Sequence, residues 1–223
     1  MATCTRNVYR LSLLMLLGAC NTTRIVKPIS KGEVQVGFNV GGPLFNLGEI
    51  PIVMPLSSAF VAYGYKENTT LFTGLHTTAL LFGVIQSDLG FTTKILNQKK
   101  FIPAVSLSPI VNGMIDTWEG DGKLFPQLDI NAFWQYGNKQ YILFCSINNW
   151  VDLAPTKAHN ESIRTRWLPS IAFGHQWNRS KYTIQLEGKL LLPNQSNQNL
   201  VVDYVRYNSM GAVGIYIGIN RKF

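Results

Sequence analysis

From residue 33 onward, apolar and polar positions alternate nearly one for one in runs of about ten residues. In 181–192, Tyr182, Ile184, Leu186, Leu190 and Leu192 share one face, and Thr183, Gln185, Glu187 and Lys189 share the other. In 125–136, Leu128, Ile130, Ala132, Trp134 and Tyr136 oppose Asp129, Asn131 and Gln135. In 86–96, Leu89, Phe91, Thr93 and Ile95 oppose Asp88, Thr92 and Lys94. A period of two is that of a β-strand with unlike faces. The pattern predicts ten strands over 33–40, 57–66, 69–77, 86–96, 101–113, 125–136, 139–150, 165–177, 181–192 and 209–221. Long and short connections alternate between them. The turns Glu67-Asn68, Gly137-Asn138 and Asn178-Arg179-Ser180 are the short ones that stand out.

An even strand count with alternating loop lengths predicts an all-β fold, an antiparallel up-and-down transmembrane β-barrel of about ten strands. Alternation alone does not say which face is inside, because a soluble barrel buries its apolar face and a membrane barrel shows it to lipid. Strand 165–177 favours lipid. It carries Trp167, Ile171, Phe173 and Trp177 on one face, with the tryptophans ten residues apart. At about 3.3 Å per residue and a tilt of ~40°, that separation gives roughly 25 Å of height, one apolar band. Trp167 and Trp177 are therefore expected as interfacial aromatics. The opposite faces mix signs, and Asp88, Lys94, Asp129, Glu187 and Lys189 are expected as a polar network filling the lumen.

Two strands fit less well. Phe60 and Phe72 fall on faces otherwise polar, Thr73 falls on an apolar one, and 79–84 suits a short helix. Pro103, Pro109 and Pro169 lie within or near strands, where each removes a ladder donor, so each needs a bulge or a strand end.

Charge changes this picture little. The chain has 20 Lys and Arg against 12 Asp and Glu, but only 14% of its residues are charged. The positive residues are scattered along the sequence, without the clustered patch and motif that nucleic-acid binding wants. Nucleic acid is excluded as a partner on that ground.

The N-terminus carries a different signal. Arg6 and Arg10 precede the run Leu11-Ser12-Leu13-Leu14-Met15-Leu16-Leu17, and small residues follow. These are the parts of a secretory signal, and the run is too short to span a bilayer. The exit, Leu17-Gly18-Ala19-Cys20, resembles the bacterial lipobox. That resemblance implies cleavage before Cys20, lipid on its thiol and acylation of the new amino group. It also implies partners: membrane lipid and the lipoprotein-processing machinery. Asn21, rather than Asp, is permissive for outer-membrane sorting. At the other end, the alternating strand Ile215–Phe223 resembles the C-terminal signal of outer-membrane barrels, which implies the barrel-assembly machinery as a partner. The expected organisation is a signal peptide over 1–19, a polar lipidated tether over 20–32 and a barrel over 33–223.

Little in the sequence points to a reaction. The three histidines are His76, His159 and His175. His76, with Ser57, Ser58 or Asp88 near it, is the first candidate for a catalytic base, though no enzyme signature surrounds it. No metal-ligand spacing appears, and beyond the covalent lipid on Cys20 no cofactor is called for. The leading expectation is an outer-membrane lipoprotein with a small filled barrel and a structural or surface-interaction role; no particular surface partner is named. The alternatives are a soluble lipid-tethered lipocalin-like barrel holding an apolar ligand, with Trp167 and Trp177 in its cavity, and an envelope enzyme acting on lipid or peptide.

Overall fold

A computed structural model describes residues 22–118, 120–154, 165–197 and 202–223. The strands are β1 (Val34–Leu47), β2 (Ile50–Val53), β3 (Leu56–Lys66), β4 (Thr69–Leu75), β5 (Val84–Leu96), β6 (Ala104–Asp116), β7 (Gly122–Tyr136), β8 (Tyr141–Val151), β9 (Trp167–Asn178), β10 (Tyr182–Ser196) and β11 (Met210–Lys222). A short helix, α1 (Thr77–Leu81), sits between β4 and β5. β2 is an arm folded back on the far end of β1. The other ten strands run antiparallel in sequence order, and β1 pairs with β11 from Gln35↔Lys222 to Pro43↔Gly214. That last pairing closes the sheet and removes both edges, the condition for a sheet to cross lipid.

The apolar faces point outward. Ile215, Ile217 and Ile219 are 41%, 50% and 49% exposed, while Tyr216 between them is buried at 1%. Leu186 and Ile184 are likewise exposed, and Gln185, Glu187 and Lys189 buried. A water-soluble barrel has the reverse arrangement. The fold is thus a transmembrane barrel, and the lipocalin-like alternative fails because Trp167 and Phe173 face outward rather than into a cavity.

The exceptions resolve one by one. Phe60 and Phe72 do point inward, both nearly fully buried. Thr73 points outward, and its hydroxyl donates to the Asp88 carbonyl oxygen at 2.7 Å, so no polar group is left for lipid to solvate. Pro103 stands just before β6. At Pro109 the β5–β6 ladder skips from Gly90↔Ile110 to Thr93↔Leu107. Pro169 lies past the last β9–β10 pair, Leu191↔Ser170. Each proline therefore meets a place where no ladder donor is required.

The loop alternation needs one correction. Because β6 and β7 pair as far as Ile115↔Gly122, their loop shrinks to 117–121. The β5–β6 turn grows to 97–103, since Pro103 delays the next strand. The two ends still differ, for the chain enters β1 and leaves β11 at the end that holds 67–68, 137–140 and 179–181.

The scatter of basic residues is a second correction. The short-turn end gathers Lys66 at β3–β4, Lys94, Lys99 and Lys100 at β5–β6, Lys139 at β7–β8, Arg179 and Lys181 at β9–β10, and Arg221 and Lys222 at the chain's end. Lys27 and Lys31 join them. That is eleven of the chain's 20 Lys and Arg, with only Glu33 and Glu67 opposing them. These residues are far apart in sequence, and only barrel closure collects them.

Candidate functional site in the barrel lumen

The tether expected over 20–32 is, over its described part, an element inside the barrel. Thr22, Thr23, Arg24, Ile25, Val26 and Ile29 are all buried. The segment meets the wall at the short-turn end, where the Gly32 N–H donates to the Gly64 carbonyl oxygen at 2.8 Å. From there, traced backward, it rises to mid-lumen, where Thr22 lines a small cavity together with Asp88, Asp129 and Lys189.

No strand of the wall pairs with this segment, so side chains of the wall satisfy its backbone. The Ile29 N–H donates to Thr70 Oγ1 at 2.9 Å. Thr92 Oγ1 donates to the Ile25 carbonyl at 3.1 Å, and Ser106 Oγ to that of Val26 at 2.6 Å. Gln185 Nε2 donates to the Thr23 carbonyl at 3.1 Å, while the Thr23 N–H and Oγ1 donate to the Glu187 carboxylate at 3.0 and 3.1 Å. Apolar contacts complete the fit. Ile25 and Ile29 pack with Phe60, Ala62, Phe72 and Ile110. Val26 packs with Ala104, Phe133, Ile142 and Phe144. The inward phenylalanines of β3 and β4 thus have a purpose: they line the seat of this segment.

Arg24 is its centre. Nη2 donates to Asp88 Oδ2 at 2.6 Å, and Nη1 donates to Ser58 Oγ at 2.9 Å. The guanidinium also stands 5.2 Å from the centre of the Phe60 ring. Two glycines make room. A Cβ on Gly74 would lie 2.6 Å from Arg24 Nη2 and 2.9 Å from Asp88 Oδ2, and one on Gly64 would collide with the Ser30 carbonyl. A second ion pair, Lys189 Nζ to Glu187 Oε1 at 3.2 Å, lies across the lumen. Asp129 accepts from Gln127 Nε2 at 2.7 Å.

The five residues expected as a luminal network therefore divide. Asp88, Asp129, Glu187 and Lys189 are buried near the middle of their strands. Lys94 is not with them. It stands at the short-turn mouth with Lys139 and Lys222 around Lys27. Burial first, then these three charges, lower the Lys27 pKa from its ordinary value. The cation that meets Asp88 is Arg24, which sequence reading missed. Nothing in the periodicity marks it, since its partner is 64 residues away.

His76 Nε2 is 3.6 Å from Asp88 Oδ2, and Ser57 Oγ lies 2.7 and 2.8 Å from the hydroxyls of Thr77 and Thr78. Ser58 and Asp88 bind the Arg24 guanidinium, with His76 beside Asp88, and all four residues are buried. Trp167 and Trp177 lie on the outward parity of β9, at its opposite ends. Trp177 stacks with His175, which also contacts Tyr136 and Tyr141, to form an outer aromatic cluster near the short turns. His159 and Cys20 fall outside the described residues.

Above the network, Leu56, Ala79, Val84, Met114, Phe125 and Trp150 form an apolar layer across the long-loop end of the lumen, with Ala79 supplied by α1. A cavity of about 10 Å³ remains between this layer and Arg24, room for about one water. The lumen is filled from both ends.

No family model and no curated protein matches the chain. Solved structures do resemble its fold. The translocator domain of the autotransporter NalP from Neisseria meningitidis aligns over 100% of this chain and 96% of its own, at 10% identity and a TM-score of 0.40. The NanC porin aligns over 86% and 99%, at 9% identity and a TM-score of 0.48. An outer-membrane channel from Pseudomonas putida F1 aligns over 91% and 100%, at 8% identity and a TM-score of 0.46. At such identities the likeness concerns the barrel fold alone.

Proposed function

We propose that this chain is an outer-membrane lipoprotein whose barrel crosses the bilayer, with its short turns on the periplasmic side and its long loops outside. The observation that carries the reading is the inverted barrel: a closed wall, apolar outward and polar inward, with its lumen occupied by the segment 22–32 and by side chains of the wall. While the segment 22–32 is docked the lumen passes no solute, so the work of that state is structural or lies in surface contacts made by the long loops. The lipobox-like Leu17-Gly18-Ala19-Cys20 supports a second attachment through acylated Cys20. Trp167 and Trp177 would then mark the two interfaces.

The anchor and the filled lumen compete. From Thr22, the two residues back to Cys20 span at most ~7 Å. Half of an apolar band is roughly 12 Å, and acyl chains lie outside the wall. An acylated Cys20 seated in a leaflet therefore draws Thr22, Thr23 and Arg24 out of their sites. The segment docked in the lumen and the chain anchored in the leaflet are alternative states.

Fractionation of the full chain and of Cys20→Ala tests the reading, together with the mass of the N-terminal peptide. Both chains stay with the membrane, need detergent and migrate differently when heated, and only the first carries lipid. Release of Cys20→Ala into the aqueous phase would remove the membrane barrel. An unmodified Cys20 would remove only the anchor.

A further inference from the structure

We propose that the short-turn rim is a binding surface for the anionic phospholipid headgroups of the leaflet it borders. The charge is one-sided, eleven cations against Glu33 and Glu67. At the long-loop end the described residues are instead acidic on balance: Glu49, Asp116, Asp121, Asp152 and Asp203 against Lys123, Arg166 and Arg206. Glu33 and Glu67 are too few to answer the rim cations. Among the described residues, the ion pairs all lie in the lumen. Lys27 feels the charges of Lys94, Lys139 and Lys222 and, among the acids, that of Glu33. Like charges gathered at one rim repel one another, and anions from outside relieve that repulsion.

Their level on the wall says which anions. Arg179 stands 5.8 Å from the Tyr141 ring, Arg221 4.8 Å from Phe223 and Lys66 5.2 Å from Tyr65. Tyr65 and Phe223 are exposed, and Tyr141 belongs to the outer aromatic cluster. Aromatic rings at the end of a membrane strand sit at headgroup depth, so cations lying on them meet phosphates. The distribution favours lipid over a soluble polyanion. Every short turn contributes, as do both ends of the barrel chain, which gives a ring around the wall rather than a single patch. A ring fits the annulus of lipids that surrounds a barrel.

The test uses the full chain reconstituted in phosphatidylethanolamine vesicles with about 30% phosphatidylglycerol, a composition whose anionic surface attracts basic residues. Lipid that stays with the protein on extraction in mild detergent is then weighed by mass spectrometry. Phosphatidylglycerol is enriched on the natural chain, and high salt removes the enrichment. The combined variant Lys99→Glu, Lys100→Glu, Lys139→Glu and Lys181→Glu lowers it by about tenfold. Lys123→Glu with Arg206→Glu, at the other end, leaves it unchanged. Heat-modifiable migration shows that each variant is folded. A folded rim variant with undiminished enrichment overturns the proposal. So does a chain that takes heparin in detergent but shows no preference between the two phospholipids, which would assign the rim to a soluble polyanion.

Discussion

The wall and the segment it encloses are held by different forces. The wall is a continuous ladder, closed by β1 and β11, whose apolar side chains need lipid around them. The segment 22–32 has no ladder. It is held by one buried ion pair, a series of single hydrogen bonds and three aliphatic side chains set among inward phenylalanines. Cooperative pairing makes the wall rigid as a unit. The segment is tied at separate points, so it has the contacts of something that docks into a finished barrel.

Substitutions should separate the two regions. Arg24→Ala leaves Asp88 buried without its cation, a change of about 3–5 kcal/mol against the docked state. It should release the segment to protease and hydrogen exchange while heat-modifiable migration persists; loss of the barrel itself would mean that wall and segment form one unit. Leu186→Arg does the opposite. It places a charge on the lipid face near the middle of β10 and should cost the barrel about 2–4 kcal/mol in denaturant titrations in lipid. Gly74→Val fills the space beside Arg24, so it should release the segment to protease much as Arg24→Ala does, with less effect on the wall than Leu186→Arg. Ser106→Ala removes one hydrogen bond to the Val26 carbonyl and should weaken docking by about 1 kcal/mol, seen as faster exchange within the segment alone.

The same contrast explains what the sequence reveals. A strand shared between lipid and a polar lumen writes a period of two over its seven to fifteen residues, and the ten strands are legible for that reason. Phe60 and Phe72 break the pattern because they serve the segment rather than the wall, and they look anomalous until the segment is in place. The segment itself has no period. Thr23, Arg24 and Ile25 face different partners, and those partners lie on strands far along the chain. Arg24 therefore reads as one more charge in a polar leader. Lys94 reads as luminal from its parity, but parity gives a face and not a height, and it lies at the mouth. The basic rim is hidden in the same way. Each short turn contributes only one to three charges, and the hairpins between turns separate them in sequence.

The central claim is that the apolar face meets lipid while the lumen is packed with the chain's own residues. Quenching by phospholipids brominated on their acyl chains tests it most directly. Among five tryptophans, Trp167 faces outward and Trp150 is buried in the lumen at 4% exposure. In single-tryptophan variants that keep only Trp167 or only Trp150, Trp167 should be strongly quenched and Trp150 hardly at all. Equal quenching of both, or quenching of Trp150 alone, would contradict the account.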